Sequence, residues 1–332
     1  MVRLTFILIL AALVCEVSSV YVIPSVPLKN AAVPGLSMPI TGLGTGGYGH
    51  NISVGYGGYP ECWSDASGCG PWVKNATVAY LQMAASVSAT QIRIDQANTY
   101  EDVDNVGLAI AASGVPREDI FLLQKTGSGE ANGYDDTIEQ FEQILLQGNY
   151  TYVDALLIHW PTSTAASREP SCQTGTANYD PRLCRLATWR AYVDIFNSGR
   201  ALSIGVSNFN ATHLQEIKDA GMILPSINQI PFNIYRSSSW AETVNWCLRN
   251  GVTVNSYSPY GVPDYHVFPT STGMATTPLL DPVVTTIAAA HGRQPAEVLS
   301  AWFLALGIPF NPRTYSTAVS EFCFFAKCVN LT

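Results

Sequence analysis

The chain has 332 residues, 47% of them hydrophobic and 13% charged, with a net charge of −8 at pH 7. That apolar content is ample for a core, and the length suits one domain behind a short leader. The acidic balance, with no basic stripe, argues against nucleic acid as a partner and gives no reason to expect binding to acidic membranes.

From the N-terminus, Arg3 precedes an apolar stretch over 4–14, and Val17 and Ser19 are small residues placed for cleavage after Ser19. This predicts a secretory signal over 1–19, with an uncleaved anchor as the rival reading. The stretch is too short to span a bilayer, and no later segment has enough uninterrupted apolar residues to do so. Val26-Pro27-Leu28 and the Pro34-Gly35 turn suggest a short hairpin before a first strand over 40–45. A Gly- and Tyr-rich stretch follows, then a helix over 74–88. Further strands are expected near Gln91, Ile120, Asp154, Leu202, Ile227, Thr253 and Ile308. Helices are expected over 103–112, 135–146, 186–197, 212–220, 240–248 and 296–306. Alternating strands and helices predict a parallel α/β sheet, and eight strands favour a closed (β/α)8 TIM barrel. A doubly wound sheet is the alternative. Its glycine signature occurs only superficially in Gly42-Leu43-Gly44-Thr45-Gly46-Gly47, where the third glycine is misplaced and no helix follows.

Three ionisable residues close successive apolar strands: Asp95 after Gln91-Ile92-Arg93-Ile94, Lys125 after Ile120-Phe121-Leu122-Leu123-Gln124, and His159 after Asp154-Ala155-Leu156-Leu157-Ile158. The C-terminal rim of a parallel barrel is where active sites form. Tyr100 lies in the loop after Asp95. A phenol with a pKa of about 10 is a poor acid at neutral pH, and a lysine cation beside it favours its ionised form. An aspartate keeps that lysine charged and placed, and a histidine can hold a substrate oxygen near the phenol. The set points to carbonyl reduction. A glycoside hydrolase would need two facing carboxylates, and only Asp95 stands at a confident strand end.

Several segments resemble the aldo-keto reductase family. Met38-Pro39-Ile40-Thr41-Gly42-Leu43-Gly44-Thr45 is similar to its first strand, and Arg93-Ile94-Asp95-Gln96-Ala97-Asn98-Thr99-Tyr100 to its Asp-x-Ala-x-x-Tyr motif. Leu157-Ile158-His159-Trp160-Pro161 is similar to its histidine motif. Gly205-Val206-Ser207-Asn208-Phe209 and Tyr257-Ser258-Pro259 are similar to two cofactor motifs. The resemblance runs over 33–314 and is specific because several motifs keep their order. It implies a small carbonyl substrate, with Asp95, Tyr100, Lys125 and His159 catalytic. It also implies NADP(H), with NAD(H) not excluded. Ser207, Asn208 and Gln229 would bind the nicotinamide carboxamide, Tyr257 would stack on the ring and Ser258 would contact the pyrophosphate. Arg313 and Thr314 stand where the family holds the 2′-phosphate with Lys-Ser. A secreted binding protein that has lost turnover on the same barrel is the second reading.

Against the family pattern, 46–72 and 163–185 read as insertions in a single barrel domain over 20–332. Tyr56, Tyr59, Trp63 and Trp72 either pack the first insertion onto the barrel, the preferred reading, or serve as pocket walls. The pairs Cys62–Cys69 and Cys172–Cys184 lie in these insertions and are expected to form disulfides, although connectivity is not fixed by sequence. Cys247 is expected to be a buried free thiol, and zinc is not expected because no CxxC pairs occur. Sequons at Asn51, Asn75, Asn149, Asn210 and Asn330 agree with a secreted glycoprotein, free of the membrane once the signal is cleaved. A monomer is expected. The tail 315–332 lacks the amphipathic pattern of a last barrel helix. Two accounts of it stay open: a shortened variant, or a reading frame that runs into non-coding sequence near Val319.

Overall fold

The computed structural model describes residues 23–46, 70–87, 91–126, 132–162, 166–261, 268–269 and 275–312. An antiparallel hairpin comes first, β1 (Ser25–Pro27) with β2 (Ser37–Pro39). Next are β3 (Gly42–Gly44), helix α1 (Gly70–Val87), β4 (Ile92–Ala97), α2 (Val103–Ser113), β5 (Ile120–Thr126) and α3 (Tyr134–Gly148). Then follow β6 (Ala155–Ile158), α4 (Pro181–Asn197), β7 (Ile204–Ser207), α5 (Ala211–Asp219), β8 (Ile227–Pro231), α6 (Ala241–Asn250) and β9 (Thr253–Tyr257). After a small ladder of β10 (Phe268–Pro269) with β11 (Ala275–Thr276), the described chain ends in α7 (Pro282–Ala290), α8 (Pro295–Leu306) and β12 (Phe310–Asn311).

Strands β3 to β9 and β12 form one parallel eight-stranded sheet in chain order. Its two edges meet. Thr41 bridges Phe310, the Phe310 N–H donates to the Ile40 carbonyl at 2.8 Å, and the Gly44 N–H donates to the Pro312 carbonyl at 2.9 Å. The result is the expected (β/α)8 barrel with its N-terminal hairpin.

Side chains alternate across each strand, so the sheet carries two cores. Outward residues such as Ile94, Leu122, Leu156 and Ile204 pack against the helices in the larger core. Inward residues Phe121, Leu123, Ala155, Leu157 and Ile227 meet Leu28 and Met38 of the hairpin segment in a second cluster. The hairpin therefore floors the barrel, and the layers above it are left for polar groups. The first is Arg93, fully buried on the inner face of β4. Its guanidinium donates to the Phe310 carbonyl at 2.6 Å, Asn255 Oδ1 at 3.0 Å and the Ile40 carbonyl at 3.4 Å. One side chain thus joins β4 to β9 and to both sides of the closing seam. Burial pulls its pKa down to about 10, which leaves it a cation at neutral pH.

Several boundaries differ from those expected. Helix α1 starts at Gly70 and so takes in Trp72, which was assigned to the insertion 46–72. Helix α4 starts at Pro181, inside the insertion 163–185. Asp180 accepts from the N–H groups of Arg182 and Leu183 at 2.9 and 3.0 Å, and proline suits a first helical turn. Helix α7 is one the sequence reading lacked. Its β-branched residues Val283, Val284, Thr285 and Thr286 hide it, while Asp281 caps it and Pro282 starts it.

The Cys172–Cys184 disulfide forms as expected, closing the loop between β6 and α4. Cys247 is a buried free thiol, pushed up to about 11 chiefly by burial. The signal 1–19, the Cys62–Cys69 pair, Tyr56, Tyr59, Trp63, Arg313, Thr314, the sequons at Asn51 and Asn330 and the tail 315–332 lie outside the described residues. Among the described residues no helix is long and apolar enough to cross a membrane.

Candidate active site

Residues two apart on a strand share a face, so the inner face of β4 carries Asp95 above Arg93, and that of β5 carries Lys125 above Leu123. Asp95 and Lys125 are both essentially inaccessible to solvent. Lys125 Nζ donates to Asp95 Oδ1 in a buried ion pair. The other oxygen, Asp95 Oδ2, accepts from Gln229 Nε2 of β8 at 2.5 Å. A buried pair of charges is tolerated when its remaining hydrogen-bonding capacity is met in this way.

Above the pair, a single 3-10 turn (Asn98–Tyr100) brings Tyr100 back over the rim, and Glu101 closes it in the left-handed region at φ 56°. Lys125 Nζ lies 5.2 Å from the centre of the Tyr100 ring. The His159 ring, on the first residue past β6, meets Tyr100 edge to face with centroids 5.5 Å apart. Tyr100 and His159 are half-buried, whereas Asp95 and Lys125 are sealed beneath them. The phenol and imidazole therefore front the barrel mouth. His159 Nδ1 lies 3.3 Å from Thr99 Oγ1. Loss of water around the ring, and then the nearby Lys125 cation, hold the imidazole well below its usual pKa, so it is neutral at pH 7. Gly46 makes room for this arrangement. A Cβ there would stand 2.9 Å from Tyr100 Cζ and 3.2 Å from the phenol oxygen.

The residues expected to hold a cofactor line the adjoining rim. Ser207 Oγ donates to the Gln229 carbonyl at 2.9 Å. Asn208 Nδ2 donates to the His159 carbonyl at 3.0 Å and to Ser207 Oγ at 3.2 Å, and its Oδ1 accepts from the Tyr257 hydroxyl at 2.9 Å. Asn208 and Ser258 both take positive φ, 63° and 49°. For a non-glycine residue that conformation is uncommon and gathers at ligand sites. Amides, hydroxyls and one half-buried aromatic face make a donor set suited to a planar ring that carries a carboxamide.

The structure brings Asp95, Tyr100, Lys125 and His159 together, and places Ser207, Asn208, Gln229 and Tyr257 beside them with Ser258 next in the chain. Three features were missed from sequence. Gln229 is tied to the buried ion pair through Asp95. Asn233 anchors the cofactor rim, its Nδ2 donating to the Ser258 carbonyl at 3.2 Å. Asp102, just beyond Tyr100, is a fully buried carboxyl. Its place two residues past the motif tyrosine was the one available signal. Among the described residues no cluster of three metal-ligating side chains occurs.

The model of the Aldo/keto reductase family matches residues 62–319. An aldo-keto reductase from Mycolicibacterium smegmatis is 33% identical over 248 residues, covering 74% of this chain and 78% of that protein. Morphine 6-dehydrogenase from Pseudomonas putida is 30% identical, over 78% of this chain and 82% of its own. Among solved structures, a Bombyx mori aldo-keto reductase in complex with NADP superposes with a TM-score of 0.68 at 26% identity, over 94% of this chain and 88% of the other.

Proposed function

The chain belongs to the aldo/keto reductase family, and from that membership we propose an NADP(H)-dependent carbonyl reductase in which Tyr100 is the general acid. The family's oxidoreductases act on carbonyl and alcohol groups and use nicotinamide cofactors, and relatives named for aldehyde and glyoxal reduction match this chain. The observation that carries the reading is the stacking of Asp95, Lys125 and Tyr100 from the barrel interior to its mouth, with His159 against the phenol.

When bound, the reduced nicotinamide supplies the hydride. Tyr100 Oη holds the proton that passes to the carbonyl oxygen, its O–H bond breaking as the new one forms. Lys125 stabilises the phenolate left behind, and Asp95 keeps Lys125 charged and fixed. In the tautomer this role needs, Thr99 Oγ1 donates to His159 Nδ1 and the ring proton sits on Nε2, free for the substrate oxygen. Because His159 is already neutral, it keeps this role as pH rises through 7. Ser207 and Asn208 would read the carboxamide, with Gln229 bridging to Asp95. Tyr257 would cover the ring and Ser258 would meet the pyrophosphate. Arg313 and Thr314 would hold the 2′-phosphate, where arginine's fork suits two parallel hydrogen bonds.

The test is a fluorescence titration of the chain with NADPH and, in parallel, NADH, followed by carbonyl-dependent consumption of the tighter cofactor with small aldehydes and ketones. Saturable NADPH binding and turnover are expected. A folded protein that binds neither cofactor would instead favour the non-catalytic barrel.

We place the protein in the secretory pathway or outside the cell. Supporting this are the signal-like 1–19, the Cys172–Cys184 bridge and exposed asparagines in the sequons at Asn149 and Asn210. Asn210 caps α5 with Oδ1, accepting from the His213 N–H at 2.9 Å, which leaves the glycan-bearing Nδ2 directed elsewhere. Protein made by a secretory host is expected to lose mass on treatment with an Asn-glycan hydrolase. An unchanged mass at every sequon would count against this placement.

A further inference from the structure

A groove of ≈ 230 Å³ opens between the first turns of α5 and α6, and the carbonyl chemistry makes no use of it. Asn210, Thr212, Trp240, Glu242 and Thr243 line it. It is smaller than the roughly 300–1,000 Å³ of pockets that enclose drug-sized ligands, so it suits one small ring. Trp240 is half-buried and stands at the N-cap of α6, where its side chain makes no capping hydrogen bond. The first turn of α6 therefore keeps N–H donors beside the groove. Thr243 lines the groove while only 5% exposed, and among the described residues its hydroxyl has no hydrogen-bond partner. From the α5 side comes Asn210, exposed and at the N-cap of that helix. Its Oδ1 accepts from the His213 N–H at 2.9 Å, and among the described residues its Nδ2 donates to nothing.

Resting on the placement in the secretory pathway, we propose that Asn210 carries an Asn-linked glycan and that this groove seats its first sugar, an N-acetylglucosamine. Asn210-Ala211-Thr212 is the acceptor sequence. Asn210 Nδ2 forms a bond to C1 of a lipid-linked oligosaccharyl pyrophosphate. The C1–O bond breaks, the amide loses one proton, and the lipid pyrophosphate leaves. Substitution at Nδ2 leaves Oδ1 to keep the cap on α5. The sugar is then tethered at the groove it fills, and a tethered ligand binds at high effective concentration, so a small groove suffices. The apolar C–H face of the ring lies on the Trp240 indole, an aromatic face with a polar N–H. The acetamido carbonyl accepts from the first-turn donors of α6, and the sugar hydroxyls meet Thr243 and the exposed Glu242 carboxylate. Seated in this way, the sugar bridges the starts of α5 and α6. Asn149, exposed at the C-cap of α3 and no part of the groove, is the internal reference.

The test follows each sequon by peptide mass spectrometry while the full chain, made by a secretory host, is exposed to an Asn-glycan hydrolase. The Asn210 glycan is expected to leave the folded chain roughly tenfold more slowly than the unfolded chain, as for a seat filled about nine-tenths of the time. The Asn149 glycan is expected to show no such gap. W240A should close the gap at Asn210. Should W240A fold poorly, T212A gives a second measurement, because it removes the glycan and leaves Trp240 in place. T212A is expected to lower Tm by roughly 2 °C in glycosylated chain. It should leave Tm unchanged in chain made by the same host under an inhibitor of glycan addition. An occupied Asn210 released equally fast from folded and unfolded chain overturns the seat, as does a T212A midpoint equal to the parent's in glycosylated chain. A bare Asn210 beside another occupied sequon also overturns it and leaves the secretory placement standing. A chain bare at every sequon overturns both.

Discussion

Tyr100→Phe is expected to bind NADPH with unchanged affinity and to lose carbonyl reduction by roughly 10²–10⁴-fold in kcat. The substitution keeps the ring that meets His159 edge to face and lies over the Lys125 cation. Only the hydroxyl goes, and with it the proton that the proposed mechanism passes to the carbonyl oxygen. Loss of kcat at constant cofactor affinity marks an interaction made at the transition state. Steady-state rates with a saturating aldehyde, beside a cofactor titration of both proteins, make the comparison. Equal kcat would remove Tyr100 from the chemistry.

Arg93→Met is expected to destabilise the fold by about 3–5 kcal/mol, the range for removing one member of a buried charged arrangement. Methionine fills much of the volume, but Asn255 Oδ1 and the Phe310 carbonyl lose the guanidinium, while the Ile40 carbonyl keeps the Phe310 N–H, and each buried acceptor left short of a donor costs about 1–3 kcal/mol. These groups lie at the seam, where Thr41 and Phe310 make a single bridge. The measurement is the urea midpoint at constant m-value. A midpoint unchanged from the parent chain would mean that water or the sheet itself satisfies those acceptors.

Local pattern revealed much of this architecture. Asp95, Lys125 and His159 end short apolar runs, and a strand that stops at a polar residue on a barrel rim announces itself over five or six positions. What stayed hidden needs partners distant in the chain. Gln229 and Asp95 are 134 positions apart, and Arg93 and Phe310 are 217 apart. Alternation puts Arg93 and Asp95 on one face of β4, so a buried arginine was deducible, but its acceptors across the seam were not. Helix α7 was missed because Val283 to Thr286 favour extended backbone locally, and the cap at Asp281 with packing of Val284 and Ala288 overrides them. Asp102 looked like an ordinary helix-start acid. Only the surroundings of its carboxyl set it apart.

The bridge between Cys172 and Cys184 has a practical corollary. It closes residues 172–184, and the segment just before that loop is tied to the start of α3, with Ser167 Oγ donating to the carbonyl of Asn132, which precedes the helix, at 2.5 Å and the Arg168 N–H to Asp136 Oδ2 at 2.8 Å. Cross-linking a loop of this size removes about 3 kcal/mol worth of freedom from the open chain. Preparations from a thiol-rich cytosol and from an oxidising lumen would then be two materials with one sequence, differing in the segment between β6 and α4. The host compartment is thus an experimental variable for any comparison of substrates.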